Sequence, residues 1–245
     1  MESVMKKIHM VLQGKGGVGK SFISSSIAQY KKSKGQTPLC IDTDPVNATF
    51  HGYKALDVRR LDIMEGDEIN PRKFDMLVEW LSESEHDLVI DNGAATFVPL
   101  AHYLISNQIP DLLHDMGWQL VIHTVVTGGQ AMMDTLTGFA TLVRQFQSPA
   151  LFVVWLNPYW GIIEHDGRSF EKLKPYLENK GRVSAIVTIP TLKEETFGRD
   201  LSDLLQSRLT FDESINDASL TIMTRQRLKL IRQQLYTQME NAAVL

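Results

Sequence analysis

At 245 residues the chain has the length of one large α/β domain, and 43% hydrophobic with 22% charged residues is an ordinary globular balance. A formal net charge of −4 excludes a uniformly cationic coat, so any nucleic-acid contact must come from a local patch. The single cysteine, Cys40, excludes an intramolecular disulfide and reads as a small buried strand residue. No apolar stretch approaches the roughly 18–20 residues of a membrane span. The start, Met1-Glu2-Ser3-Val4-Met5-Lys6-Lys7, reads as leading straight into a strand without a secretory segment, so the expected location is cytoplasmic.

In chain order, a strand is expected over 8–12, feeding a glycine-rich loop at 14–21 and a helix over 22–34 that stops at Gly35. A strand over 37–41 ends at Asp42-Thr43-Asp44-Pro45. A helix over 71–83 opens with Pro71 and leads to a strand over 87–90. Helical segments near 98–116 precede a strand over 119–126. The turn Thr127-Gly128-Gly129 starts a helix to 146, followed by a strand over 150–156 ending in Asn157-Pro158. A helix over 168–179 leads to a strand over 183–189 ending in Pro190. Helices over 196–208 and 219–240 close the chain. This alternation implies right-handed βαβ crossovers and a doubly wound, mostly parallel sheet. A single α/β domain over 1–245 is expected, with 219–245 a C-terminal helix packed on it. The unusual residues fall at the strands' carboxyl ends, where open α/β sheets bind ligands.

Residues 14–21, Gly-Lys-Gly-Gly-Val-Gly-Lys-Ser, satisfy G-x-x-x-x-G-K-[ST] through Gly14, Gly19, Lys20 and Ser21. Gly16, Gly17 and Gly19 let backbone N–H groups converge on phosphate oxygens without Cβ clashes, and Val18 completes the loop. Lys20 would neutralise phosphate charge, Ser21 would ligate Mg²⁺, and the following helix N-terminus adds its dipole. The same residues fit G-x-G-x-x-G, with Asp42 placed as a dinucleotide fold places its ribose acid. Lys20-Ser21 has no purpose in that turn and two in a triphosphate loop. The apolar run Leu88-Val89-Ile90-Asp91 also delivers an acid to the magnesium side of a phosphate site. The loop therefore reads as a nucleoside triphosphate site. Lys15, a second lysine inside the loop, is either a solvated charge or a cation acting on phosphates, including those of a second subunit.

The x-K-G-G-x-G-K-S form resembles the deviant Walker A ATPases, the ParA/MinD group of partition and cell-division ATPases in the wider SIMIBI class of P-loop NTPases. Asp42-Thr43-Asp44-Pro45 with Asn47-Ala48-Thr49, Asp91 at a strand end and Asn157 at a later one agree with it. Nearly end to end, the chain is similar to the TraL-type family encoded in conjugative-plasmid transfer regions. The shared stretches are residues 8–15, 38–50, 155–160 and 192–196. The resemblance implies a homodimer closed by ATP and Mg²⁺, with slow, partner-stimulated hydrolysis and a plasmid transfer or partition protein as partner. It implies that Lys15 crosses the dimer interface and that Lys20 binds phosphate. Ser21 and, through water, Asp91 would hold Mg²⁺, with Asp42 supporting that shell. Asp44 would orient the attacking water, Asn157 would meet the adenine edge, and the backbone after Pro190 would close over the base. For Asp42 and Asp44, turn chemistry before Pro45 is the alternative, and Asn157-Pro158 is also a common turn dipeptide.

The chain departs from the family at three places. Phe22 stands where a second hydroxyl residue usually touches the α-phosphate, leaving only its backbone N–H. Val46-Asn47 follows Asp44-Pro45 where a glutamine is usual, and Asn92-Gly93-Ala94 lacks the usual prolines. These changes leave binding intact in expectation and put hydrolysis in question. Asn157-Pro158-Tyr159-Trp160 lacks the lysine and acid of guanine readers, which favours ATP over GTP.

In the C-terminal helix Leu228, Ile231 and Leu235 form one face, while Arg225, Arg227, Lys229 and Arg232 form a cationic stretch. A solvated helix, a weak DNA-backbone contact and a membrane-surface helix are the readings of that stretch. His9 and His123 read as core or sheet residues, and His102, His114 and His165 are too scattered for a metal site. Trp155, Tyr159 and Trp160 read as core, or as a ring that stacks on adenine or lines a partner groove. One cysteine cannot supply the bridging cluster of an iron-protein relative. The sequence thus reads as an ATP-dependent dimerisation switch with weak ATPase activity. The alternatives are a nucleotide-binding adaptor with little hydrolysis and an ATP-dependent metabolic ligase on the same fold.

Overall fold

The structure, a computed structural model, describes residues 5–146 and 149–245. The reading of the chain start over Met1 to Val4 lies outside the described residues. Seven strands form one sheet in which every neighbouring pair is parallel. They are β1 (Lys6–Val11), β2 (Leu39–Asp42), β3 (Arg59–Arg60), β4 (Leu88–Asp91), β5 (Trp118–Thr127), β6 (Leu151–Asn157) and β7 (Val183–Thr188). Their order is β7-β6-β5-β1-β4-β2-β3, so the winding reverses at β1 and a crevice opens at its carboxyl end.

Both faces of the sheet are covered, which is why its central strands are near-continuous apolar runs. Ile8, Met10, Ile90, Ile122, Phe152 and Val154 face a core closed by α2 (Asp75–Glu83), α3 (Phe97–Ser106), α4 (Ile109–Asp115), α5 (Met132–Gln145) and α6 (Lys174–Asn179). Val11, Val89, Val121, Val153 and Trp155 face the other core, under α1 (Lys20–Ser33), α7 (Arg199–Gln206), α8 (Phe211–Asn216) and α9 (Ile222–Asn241). Leu228, Ile231, Leu235 and Met239 of α9 are all buried there. Arg227 and Arg232 on its outer side pair with Asp200 and Asp212, so the cationic stretch is partly neutralised within the chain. Among the described residues no helix is long and apolar enough to cross a membrane.

Several segments differ from expectation. The helix expected over 168–179 is confined to Lys174–Asn179, because a hairpin pairs Glu164–His165 with Arg168–Ser169. Its two-residue turn, Asp166-Gly167, has φ of 50° and 71°, the left-handed geometry that Asp-Gly supplies. The helix expected over 196–208 begins as a π turn at Glu194–Gly198 before α7. Between α7 and α9 lies the unanticipated α8, nucleated by a capping box between Thr210 and Glu213. The edge strand β3 and the 3₁₀ turns Phe50–Gly52 and Lys54–Leu56 were also unanticipated.

His9 and His123 are fully buried beneath α1, as a sheet reading requires. The Trp155 Nε1–H donates to His123 Nδ1 at 2.9 Å, which leaves His123 Nε2–H to donate to His9 Nδ1 at 2.9 Å. Burial, aided by nearby Lys31, lowers both basicities, that of His123 to about 3. Below about pH 6.5 the unfolded chain takes up protons that the folded one refuses. Stability should therefore fall by ~1.4 kcal/mol per pH unit for each histidine as acidity increases. Urea midpoints between about pH 7 and pH 4 should show this slope, and His123→Gln should make it shallower; equal slopes would refute the neutral pair.

Candidate nucleotide-binding site

The loop leaving β1 is anchored before it turns. Gln13, 1% exposed, donates its amide to Val125 O at 3.0 Å and Thr135 O at 3.2 Å. Residues 14–17 are exposed, whereas Val18 and Lys20 are buried. Gly19 sits at φ 101°, and a side chain there would meet Asn157 Nδ2 at 2.9 Å. It precedes α1, whose first turn carries no acid and whose N-cap makes no side-chain bond. The helix thus presents unpartnered N–H groups and its positive dipole end to the crevice, a ready anion site.

Lys20 Nζ donates to Lys15 O at 2.9 Å, arching the loop. Burial lowers its pKa, and Asp91 and Asp44 raise it again, so both acids lie within its field. Ser21 Oγ donates to Asp91 Oδ2 at 2.6 Å and Ser24 Oγ to Asp91 Oδ1 at 2.8 Å. Asp91 is 1% exposed, and burial pushes its carboxyl up to about 7 against the pull of these hydroxyls. One hydroxyl and one carboxylate beside a phosphate loop suit Mg²⁺, which keeps waters and phosphates in its other positions. Such a site needs no larger cluster, and among the described residues no group of three or more His, Cys, Asp or Glu side chains could hold a metal.

The two acids after β2 have different surroundings. Asp42, fully buried, accepts the backbone N–H of Asp44 through Oδ1 and of His51 through Oδ2, both at 2.9 Å. Both its oxygens shape the following loop. Asp44 Oδ1 accepts the N–H groups of Val46 at 2.9 Å and Asn47 at 3.1 Å. This loop is laced to the segment after β4. Thr43 Oγ1 donates to Asp91 O at 3.0 Å and Asn92 Oδ1 at 3.1 Å, and Thr96 Oγ1 donates to Thr43 O at 3.2 Å.

Asn157 Nδ2 donates to Val18 O at 3.0 Å, and its Oδ1 accepts the Tyr159 N–H at 3.2 Å. The amide expected on an adenine edge is here a clamp on the underside of the phosphate loop. Beside it opens a cavity of about 830 Å³, lined by Phe22, Asn157, Tyr159, Trp160 and Pro190 among others. Lys15 stands at the exposed loop tip, with its Nζ 2.8 Å from Asp134 Oδ2 on α5 of the same chain. The side chains are 45% and 60% exposed, so this pair contributes at most ~1 kcal/mol and breaks readily.

Sequence reasoning missed Gln13, Ser24, Thr43, Thr96 and Asp134. Ser24 lies three residues after Ser21 on one helix face and was findable from that spacing. Asp134 carries no local signal, since only the fold brings it to Lys15.

A helix N-terminus that gathers a lysine, a hydroxyl and a buried acid at the switch point of a parallel sheet places the chain among the P-loop nucleotide-binding proteins. Its family can be stated more narrowly. A family model described as the CobQ/CobB/MinD/ParA nucleotide binding domain matches residues 9–240, and the chain belongs to that family. Two Escherichia coli proteins named Protein TraL are 69% and 70% identical to it over 241 residues, covering 98% of this chain and all of each relative. Among solved structures, a chain of the MinC:MinD cell division protein complex of Aquifex aeolicus has the same fold. It superposes with a TM-score of 0.54 at 15% identity, covering 91% of this chain and 95% of that one.

Gly93 tests the packing of the Asp44 loop. A Cβ there would lie 2.6 Å from Asp44 Cγ. Gly93→Ala should displace the carboxylate and destabilise the fold by ~1–3 kcal/mol, lowering the urea midpoint at unchanged slope. An unchanged midpoint would mean that Asp44 swings aside freely.

Proposed function

We propose that this protein is a slow ATPase of the deviant Walker A type that works as an ATP-dependent dimerisation switch in conjugative transfer or plasmid maintenance. The observation that carries the switch is Lys15, an exposed cation at the loop tip restrained only by a weak surface pair. A lysine that served its own phosphates would have no reason to point outward to α5. One that serves a second subunit must be free to leave. The near full-length similarity to two TraL proteins supports the biological setting.

In this reading the loop N–H groups from Gly14 to Ser21 and the α1 N-terminus bind the phosphates, and Lys20 offsets their charge. Ser21 and Asp91 hold Mg²⁺, which when bound neutralises charge on the transferring phosphoryl group. Asp42 supports that shell indirectly, by fixing the loop that carries Asp44. Asp44, steadied through Oδ1, orients a water with its second oxygen. Adenine occupies the cavity beside Phe22, Asn157 and Pro190. Lys15 of each subunit reaches the phosphates of the other. Partner proteins would read the closed dimer, whose population follows nucleotide state. Arg225 and Lys229, the cations of α9 without an ion pair among those described, leave room for weak contact with a DNA backbone.

A second reading, a nucleotide-binding adaptor with little hydrolysis, is favoured by one observation. Phe22 packs into the core and lines the cavity where the family places a hydroxyl. The two readings differ in turnover and not in binding.

Sedimentation velocity of wild type and Lys15→Ala without nucleotide, with ADP-Mg²⁺ and with ATP-Mg²⁺ tests the switch. The wild type should dimerise only with ATP. Lys15→Ala should bind ATP, remain monomeric and lose turnover by a factor on the order of 10³, the scale of a cation supplied in trans. Identical behaviour of the two proteins would remove the switch.

A further inference from the structure

The turn after β6 is held with more backbone contact than a surface loop requires. Pro158–Trp160 forms a 3₁₀ turn, closed by the Gly161 N–H on Pro158 O at 3.0 Å. It presses on the turn after β5 so closely that neither Gly128 nor Gly129 could carry a side chain. A Cβ on Gly128 would lie 2.1 Å from Gly161 O, and one on Gly129 2.5 Å from Trp160 O. Thr127 Oγ1 adds a bond to Asn157 O at 2.8 Å.

This rigid support carries two exposed aromatic rings. Tyr159 is 73% and Trp160 56% exposed, and they meet edge to face with centroids 4.8 Å apart. Trp160 Nε1 donates to Gly17 O at 3.3 Å, which places the indole against the phosphate loop. Both rings line the cavity that also receives Phe22, Pro190 and Leu192. Exposed aromatic surface costs free energy unless something covers it, and a fixed ring loses little entropy when it is covered.

We propose that Trp160, braced by Tyr159, is a nucleoside-binding residue of this cavity, stacking on the base of a nucleotide whose phosphates lie in the adjoining loop. The bond to Gly17 O links the ring to the phosphate loop, so the two parts of the ligand are held by one connected surface. Any flat base can stack on the indole, so it supplies affinity and leaves base selection to polar groups at the cavity edge. The inference rests on the nucleotide reading above and adds to it a residue outside the glycine loop.

The test uses the full chain and two probes, ATP-Mg²⁺ and inorganic tripolyphosphate-Mg²⁺, titrated calorimetrically into wild type, Trp160→Ala and Trp160→Phe. Trp160→Ala should bind ATP about tenfold more weakly, the scale of one base–aromatic stack. It should bind tripolyphosphate as the wild type does, and Trp160→Phe should stay close to wild type for both. Trp118 and Trp155 are at most 2% exposed and Trp80 packs against the core. ATP should therefore change wild-type tryptophan emission and leave that of Trp160→Phe unaltered. Unchanged far-ultraviolet circular dichroism will show that the variants fold. Equal affinity of Trp160→Ala and wild type for ATP overturns the stacking role while the nucleotide reading stands. Equal loss of both probes overturns it in favour of an effect through Gly17. Intact ATP binding with lost dimerisation overturns it in favour of a subunit contact. If the wild type binds neither probe, the nucleotide reading itself falls.

Discussion

Asp91 is the constraint on which the rest of the molecule depends. A carboxylate at the end of a central strand, 1% exposed and close to Asp42, is an expensive thing to bury. The chain meets that cost with two serine hydroxyls from one helix and a lysine nearby. It does not cancel it, as the rise of the carboxyl to about 7 shows. In the proposed reading a ligand that brings a cation would return that energy, which would link binding and folding at this residue. The open N-terminus of α1 has the same logic with the opposite sign.

Around Asp91 the strand ends are tied together more tightly than the loops they lead into. Asp42 and Asp91 are register partners on adjacent parallel strands, and Thr43 and Thr96 stitch the segments that follow. Phe97 reaches back to Gly14, where a Cβ would sit 3.0 Å from its ring. A displacement of the phosphate loop therefore meets the first turn of α3, and a displacement of the Asp44 loop meets Gly93. The two segments are therefore coupled, so that neither moves without the other.

What was legible in the sequence followed from residues with few alternative uses. Lys20-Ser21 after four glycines admitted only a phosphate loop, and the alternating apolar runs admitted only a parallel sheet. The ends of α1 and β4 fell within two residues of expectation. The missed elements left local signals that were overlooked: Asp166-Gly167 announces a hairpin, and Thr210 with Glu213 announces a helix start. The pairing of Lys15 with Asp134 and the clamp from Asn157 to Val18 were not legible at all. They join residues 119 and 139 positions apart, and no spacing rule reaches that far.

The cover over α1 comes from the other end of the chain. Ile23, Ile27 and Tyr30 share a core with Leu228, Leu235 and Met239, and the Tyr30 hydroxyl donates to Glu240 at 2.7 Å. Phe50, Tyr53, Leu204 and Phe211 cover part of the same helix, and α9 completes that cover. The apolar face of α1 is thus completed by residues about 200 positions downstream, and the phosphate loop inherits a support assembled from both halves of the sequence.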